Sequence, residues 1–133
     1  MPNYLIQNVN HVPQIQERLL QGQKEFTSAV LLLTDKYETS SMYYSLAYQF
    51  RTNFVFGECR AKNLKLAQKF GLKKYPLLMA FVPKGTGNED YDDDYDIYRY
   101  KGELKKDAIS KWLDGIVRVQ KKRDTAKRRH SEF

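Results

Sequence analysis

Sulfur chemistry has almost no foothold in this sequence. The 133 residues contain one cysteine, Cys59. A single thiol can form neither an internal disulfide nor a Cys-x-x-Cys pair. Histidine is almost as scarce, and His11 and His130 lie near opposite ends, so no metal-ligand spacing exists. No apolar run approaches the length needed to span a bilayer. Met1-Pro2-Asn3-Tyr4 offers no basic segment followed by an apolar one, so no signal peptide is expected. No metal and no cofactor are expected either.

What is present describes a folded domain. Ten tyrosines and seven phenylalanines supply a core, and the length suits one domain. The net charge of +7 is unevenly spread. From Arg118 onward, Arg118, Lys121, Lys122, Arg123, Lys127, Arg128 and Arg129 face only Asp124 and Glu132, so five of the seven charges belong to the tail. The division expected is a domain over 1–117 and a basic tail over 118–133. The tail is read as flexible or helix-extending, with contact to RNA, acidic protein or an acidic membrane surface as the alternative.

The patterning alternates. Tyr4-Leu5-Ile6 is a short strand signal, and Pro13 with Ile15, Leu19 and Leu20 marks a helix that Gly22 can end. Ala29-Val30-Leu31-Leu32-Leu33 reads as a strand buried on both faces. A polar loop leads to a helix bearing Met42, Leu46 and Phe50, with Tyr43 and Ala47 beside them; Thr39 or Ser40 can cap it. Phe54 to about Cys59 is the next strand, and Asn63 caps a helix carrying Leu64, Ala67 and Phe70. Pro76 to Val82 and Ile97 to Tyr100 form a hairpin, and the last helix presents Leu104, Ala108, Ile109, Trp112, Leu113, Ile116 and Val117. The order is β-α-β-α-β-α-β-β-α, which implies an α/β domain with helices on both faces of a sheet.

The most specific stretch is Phe70-Gly71-Leu72-Lys73-Lys74-Tyr75-Pro76-Leu77-Leu78-Met79-Ala80-Phe81. A glycine at a helix end accepts the left-handed conformation, and a proline suits a strand entry. The Tyr75-Pro76 bond is a candidate for the cis form. This stretch, and Gly102-Glu103-Leu104 before the closing helix, resemble the thioredoxin fold from about Tyr4 to Val117. The resemblance makes Pro76 the family's cis-proline and puts Glu38-Thr39-Ser40-Ser41 where members carry Cys-x-x-Cys. Oxidoreductase chemistry needs a thiolate at a helix N-terminus and a second cysteine to resolve the mixed disulfide. Serine supplies neither. The acidic residue that many members carry in the preceding strand is replaced by Leu31-Leu32-Leu33. The resemblance therefore implies the fold without the catalysis, as in redox-inactive domains of the protein disulfide isomerase family and of endoplasmic-reticulum J-domain co-chaperones.

The remaining motifs weaken on inspection. Cys59 is read as a buried apolar residue, and Ser40 and Ser41 have no histidine base beside them. Asp90-x-Asp92-x-Asp94 starts a calcium-loop pattern, but Tyr95 stands where glycine belongs and Lys101 where glutamate belongs. Gly85-Thr86-Gly87 lacks the Lys-Ser/Thr of a phosphate loop. The resemblance also implies a surface where three loops meet, bringing together Tyr37, Glu38, Met42, Tyr75, Pro76 and Gly102. Met42 and Tyr75 either line a peptide groove there or belong to the core. The expected function is a redox-inactive module that binds a polypeptide client or partner protein in folding or quality control. The expected location is the endoplasmic-reticulum lumen, with the cytoplasm as the alternative.

Overall fold

A computed structural model of the chain describes residues 5–20, 28–84 and 95–131. The elements are β1 (Ile6–Asn8), α1 (Val12–Gln14), which continues as a π-helical turn over Ile15–Leu20, β2 (Ser28–Leu33), α2 (Ser41–Gln49), β3 (Phe54–Cys59), α3 (Leu64–Phe70), β4 (Leu77–Pro83), β5 (Tyr95–Arg99) and α4 (Lys106–Ser131). This is the order the patterning implies. Tyr4, Gly22, Gly85-Thr86-Gly87 and the Asp90-Asp92-Asp94 run lie outside the described residues.

The five strands form one mixed sheet in the order β1-β3-β2-β4-β5. β1, β3 and β2 run parallel; β4 is antiparallel to β2, and β5 to β4. β2 is central and buried along its whole length, as its unbroken apolar run requires. Side chains alternate between the two faces of a strand. Val30, Leu32, Phe56, Leu78 and Ala80 pack with Tyr43, Leu46, Ile109 and Leu113 of α2 and α4. Ala29, Leu31, Leu33, Met79 and Phe81 pack on the other face with Ile15, Leu19, Leu66 and Phe70.

Helix ends follow the punctuation. Ser40 Oγ accepts from the Tyr43 N–H at 3.1 Å, and Asn63 Oδ1 accepts from the Leu66 N–H at 3.1 Å. Gly71 closes α3 at φ 64° while the Leu72 N–H returns to the Ala67 carbonyl at 2.8 Å. The following Tyr75–Pro76 peptide bond is cis.

Two helix faces differ from the spacing. In α2 the buried side chains are Tyr43, Leu46 and Ala47, and Met42 is half-buried. Tyr43 can be buried because its hydroxyl donates to the Gly57 carbonyl at 2.6 Å. In the last helix, Leu104 precedes the first turn and is exposed, as is Ala108; Ile109, Leu113 and Ile116 hold the helix to the sheet.

α4 runs past Val117, so the 117/118 division falls inside the helix. Beyond it, Gln120 is buried and accepts from Ser28 Oγ at 2.7 Å. Arg123 donates to the Pro83 carbonyl at 3.0 Å and to Asp96 Oδ2 at 2.5 Å.

Candidate functional site

The strand directions send four connections to one end of the sheet. β2 and β3 are parallel, so the segments after Leu33 and Cys59 leave together. β4 is antiparallel to β2 with Leu33 opposite Leu77, so the Pro76 turn enters at the same end. β5 pairs antiparallel with β4 and leaves there too, the Tyr100 N–H reaching the Leu78 carbonyl at 2.9 Å.

Backbone bonds stitch these loops together. The Thr34 N–H donates to the Cys59 carbonyl at 3.0 Å, and the Ala61 N–H donates to the Lys36 carbonyl at 2.8 Å. Ala61 holds φ 64°, the left-handed region that a side chain disfavours, and this bond keeps it there. The Asn63 N–H donates to the Tyr75 hydroxyl at 3.0 Å, which fixes the proline turn against the loop after β3.

The residues singled out from the sequence fall into two groups. Tyr37, Glu38, Ser40, Ser41, Pro76 and Gly102 are exposed at this end, and Tyr37, at 82 %, is the most exposed of the large hydrophobic side chains described. Met42 and Tyr75 are half-buried and pack against opposite faces of the sheet, Met42 with the α2/α4 cluster and Tyr75 with the α1/α3 cluster. Gly102 has its own steric reason: a Cβ there would meet the Tyr100 hydroxyl at 2.8 Å. That ring is already held by Trp112 at 5.3 Å between centroids and by donation to the Glu103 carbonyl.

Thr39 behaves differently from its neighbours. Ser40 takes the capping role, and the Thr39 hydroxyl donates instead to Glu58 Oε1. Glu58 is only 2 % exposed and stands opposite Leu32 in the ladder. Removal from water raises its carboxyl above the ordinary value of 4.5, against the opposing pull of Thr39 and of Arg60, whose Nε lies 3.8 Å away. A buried acid therefore sits against the loop at Thr39, supplied by β3, the strand beside the one where the family resemblance places an acid. A charged residue inside the run Phe54-Val55-Phe56-Gly57-Glu58-Cys59 is the signal that could have found it. A cleft of about 430 Å³ opens over this carboxyl, lined by Arg18, Thr39, Tyr44, Arg60 and the β1 residues Ile6 to Asn8.

The lone thiol ends on the same strand, next to the loop in space but facing inward. Cys59 is 1 % exposed within the α1/α3 core, and burial raises its pKa, with Glu58 adding to the rise against an Asn63 hydrogen bond. A thiol held in this way is a poor nucleophile.

The Glu58 geometry carries a pH prediction. Its pKa is higher in the folded state than in the unfolded one, so its favourable contribution is complete below about pH 4.5 and fades as pH rises through the folded value. Glu58→Gln keeps an acceptor for Thr39 and removes the charge. Its melting temperature, compared with that of the parent, should gain steadily from acid to neutral pH; parallel pH profiles for the two proteins would refute the assignment.

Comparison of the backbone with solved structures places this geometry. The Trx4 domain of ERdj5 superposes with a TM-score of 0.62 at 16 % identity, over 89 % of this chain and 99 % of that one. The fold is thioredoxin-like. A J-Trx1 fragment of ERdj5 matches at TM-score 0.61 and 12 % identity, covering 86 % of this chain and 52 % of the fragment. ERdj5 in its form II crystal matches at TM-score 0.64 and 15 % identity, over 86 % of this chain and 15 % of that one. In sequence, this thioredoxin-like domain is 28 % identical over 109 residues to a protein of Dictyostelium discoideum described as a candidate protein disulfide-isomerase. That match takes in 79 % of the domain's chain and only 24 % of the relative's length. No family model matches the sequence. With one cysteine, the domain has no Cys-x-x-Cys pair.

Proposed function

We propose that this thioredoxin-like domain is a redox-inactive module that binds extended polypeptide, a client or a partner protein, in folding or quality control. The carrying observation is the end of the sheet where the redox motif would stand. It presents Glu38-Thr39-Ser40-Ser41 in place of thiols, beside an exposed Tyr37 and the turn at Pro76. An aromatic ring held at 82 % exposure on a loop pinned by backbone bonds is suited to gripping a chain. The likeness to domains of ERdj5 and to a candidate disulfide isomerase supports a folding role and a lumenal endoplasmic-reticulum location. Catalysis is left to other domains or proteins, because neither a resolving thiol nor an accessible nucleophilic one is present.

The test is fluorescence anisotropy with a reduced, S-carboxymethylated polypeptide as an unfolded ligand. Tyr37→Ala should weaken binding by about tenfold, a loss of about 1.4 kcal/mol. Its melting temperature should not move, since the ring supports nothing in the core. An insulin-reduction assay should give no turnover, with Cys59→Ser indistinguishable from the parent. Absence of binding, or equal binding by Tyr37→Ala, would overturn the reading.

A further inference from the structure

We propose that this end of the sheet selects acidic polypeptide segments, the carboxylates of the bound chain being read by a rim of unpaired lysines. The proposal rests on the polypeptide-binding reading above and adds the chemistry of the ligand. Lys36, Lys62, Lys73, Lys74 and Lys101 stand on the four connections that meet there, and all five are exposed. None makes an ion pair among the described residues. The acids on the same loops are Asp35, Glu38 and Glu103, the last held by Lys105 at 2.9 Å.

The charge is concentrated at this end. Of the net +7, five belong to the segment after Val117, which leaves +2 for the first 117 residues. Five unpaired lysines against Asp35 and Glu38 already exceed that remainder, so the rest of the domain body offsets it. Of the tail cations, Arg123 lies at the opposite end of the sheet, where it reaches the Pro83 carbonyl. Three of these loops are drawn together by the Ala61–Lys36 and Asn63–Tyr75 bonds, so lysines stand on the same held loops as Tyr37 and Pro76.

The residue types favour a peptide over a nucleic acid or a lipid surface. Bidentate grip on phosphate is the work of arginine, and the arginine of these loops, Arg60, faces Glu58 at 3.8 Å. Asp35 and Glu38 flank Tyr37 and would repel an unbroken phosphate chain, whereas a peptide can place its carboxylates at the lysines and an apolar side chain on the ring. Attraction of this kind acts mainly on encounter and partner choice, and it is screened by salt.

Anisotropy titrations decide it, using a labelled peptide of alternating aspartate and leucine, its asparagine–leucine counterpart, an oligouridylate and vesicles containing phosphatidylserine. The acidic peptide should bind about tenfold tighter than the amide peptide at about 0.05 M salt, and the preference should vanish near 1 M, where the screening length is about 3 Å. Lys73→Gln/Lys74→Gln should lose most of the preference with an unchanged melting temperature. Lys121→Gln/Lys122→Gln should keep it. Equal binding of the two peptides overturns the charge selection and leaves the polypeptide reading intact; binding of neither overturns both. Tighter binding of oligouridylate or vesicles, lost in Lys73→Gln/Lys74→Gln, also overturns the proposal, as does a preference that survives in that variant.

Discussion

Phe81→Ala is expected to remove about 3–5 kcal/mol of unfolding free energy, the range for deleting a fully buried aromatic ring. Phe81 has no exposed surface and packs edge-on against Phe70, with centroids 6.2 Å apart and planes at 73°. Its ladder partner on the central strand is Ala29, whose side chain is too short to fill the vacated space. Few routes to collapse are therefore open, which places the cost high in the range. A domain of this size commonly has about 5–15 kcal/mol in total, so the variant should sit near the edge of folding. Urea titration followed by circular dichroism measures the loss. Leu64→Ala is the control: its side chain is 77 % exposed and its removal should change stability by less than about 0.5 kcal/mol. A Phe81→Ala variant as stable as the control would mean that the α1/α3 face is not the packed layer described.

Truncation after Val117 is expected to cost about 1–4 kcal/mol, although charge patterning alone marks the removed stretch as a tail. The larger part comes from Ser28, which is 1 % exposed and loses its acceptor Gln120. A buried hydroxyl without a partner costs about 1–3 kcal/mol. The smaller part comes from Arg123, whose pair with Asp96 is partly solvated and contributes under about 1 kcal/mol. The consequence for any tail-binding experiment is direct: truncation at Val117 confounds loss of charge with loss of structure. Gln120→Ala should reproduce most of the thermal shift with every cation in place. A truncated domain that melts with the parent would show that nothing beyond Val117 supports the fold.

The fold was legible because its punctuation is local. Ser40, Asn63 and Gly71 act through bonds to residues three to five positions away, and the unbroken Ala29–Leu33 run has one comfortable location in a layered domain. The site was legible in outline for the same reason, since strand order decides which loops meet. What stayed hidden depends on cross-strand neighbours. Glu58 reaches Thr39 because β3 lies beside β2, and searching along β2 alone finds only leucines. The deeper burial of Tyr43 than of Met42 has a similar origin. Spacing favours the apolar side chain, but the Gly57 carbonyl on a neighbouring strand satisfies the phenol. The end of α4 is the third case, because Gln120 and Arg123 find partners far away in sequence and break the apolar pattern that marks a helix as packed.

The Tyr43–Gly57 bond also bears on how a bound chain would exchange. It fastens the first turn of α2 to the middle of β3, and the preceding loop is held at Thr34, Lys36 and Thr39. If the domain binds polypeptide as proposed, a surface held in this way would not have to open before a ligand enters, and encounter would be limited by diffusion and orientation. The ordering entropy would then fall on the bound chain, which would surrender its freedom on arrival and regain it on leaving. Where salt screens the lysine rim, chains bound under the proposed reading would therefore differ mainly in residence time, and release rates would rank them.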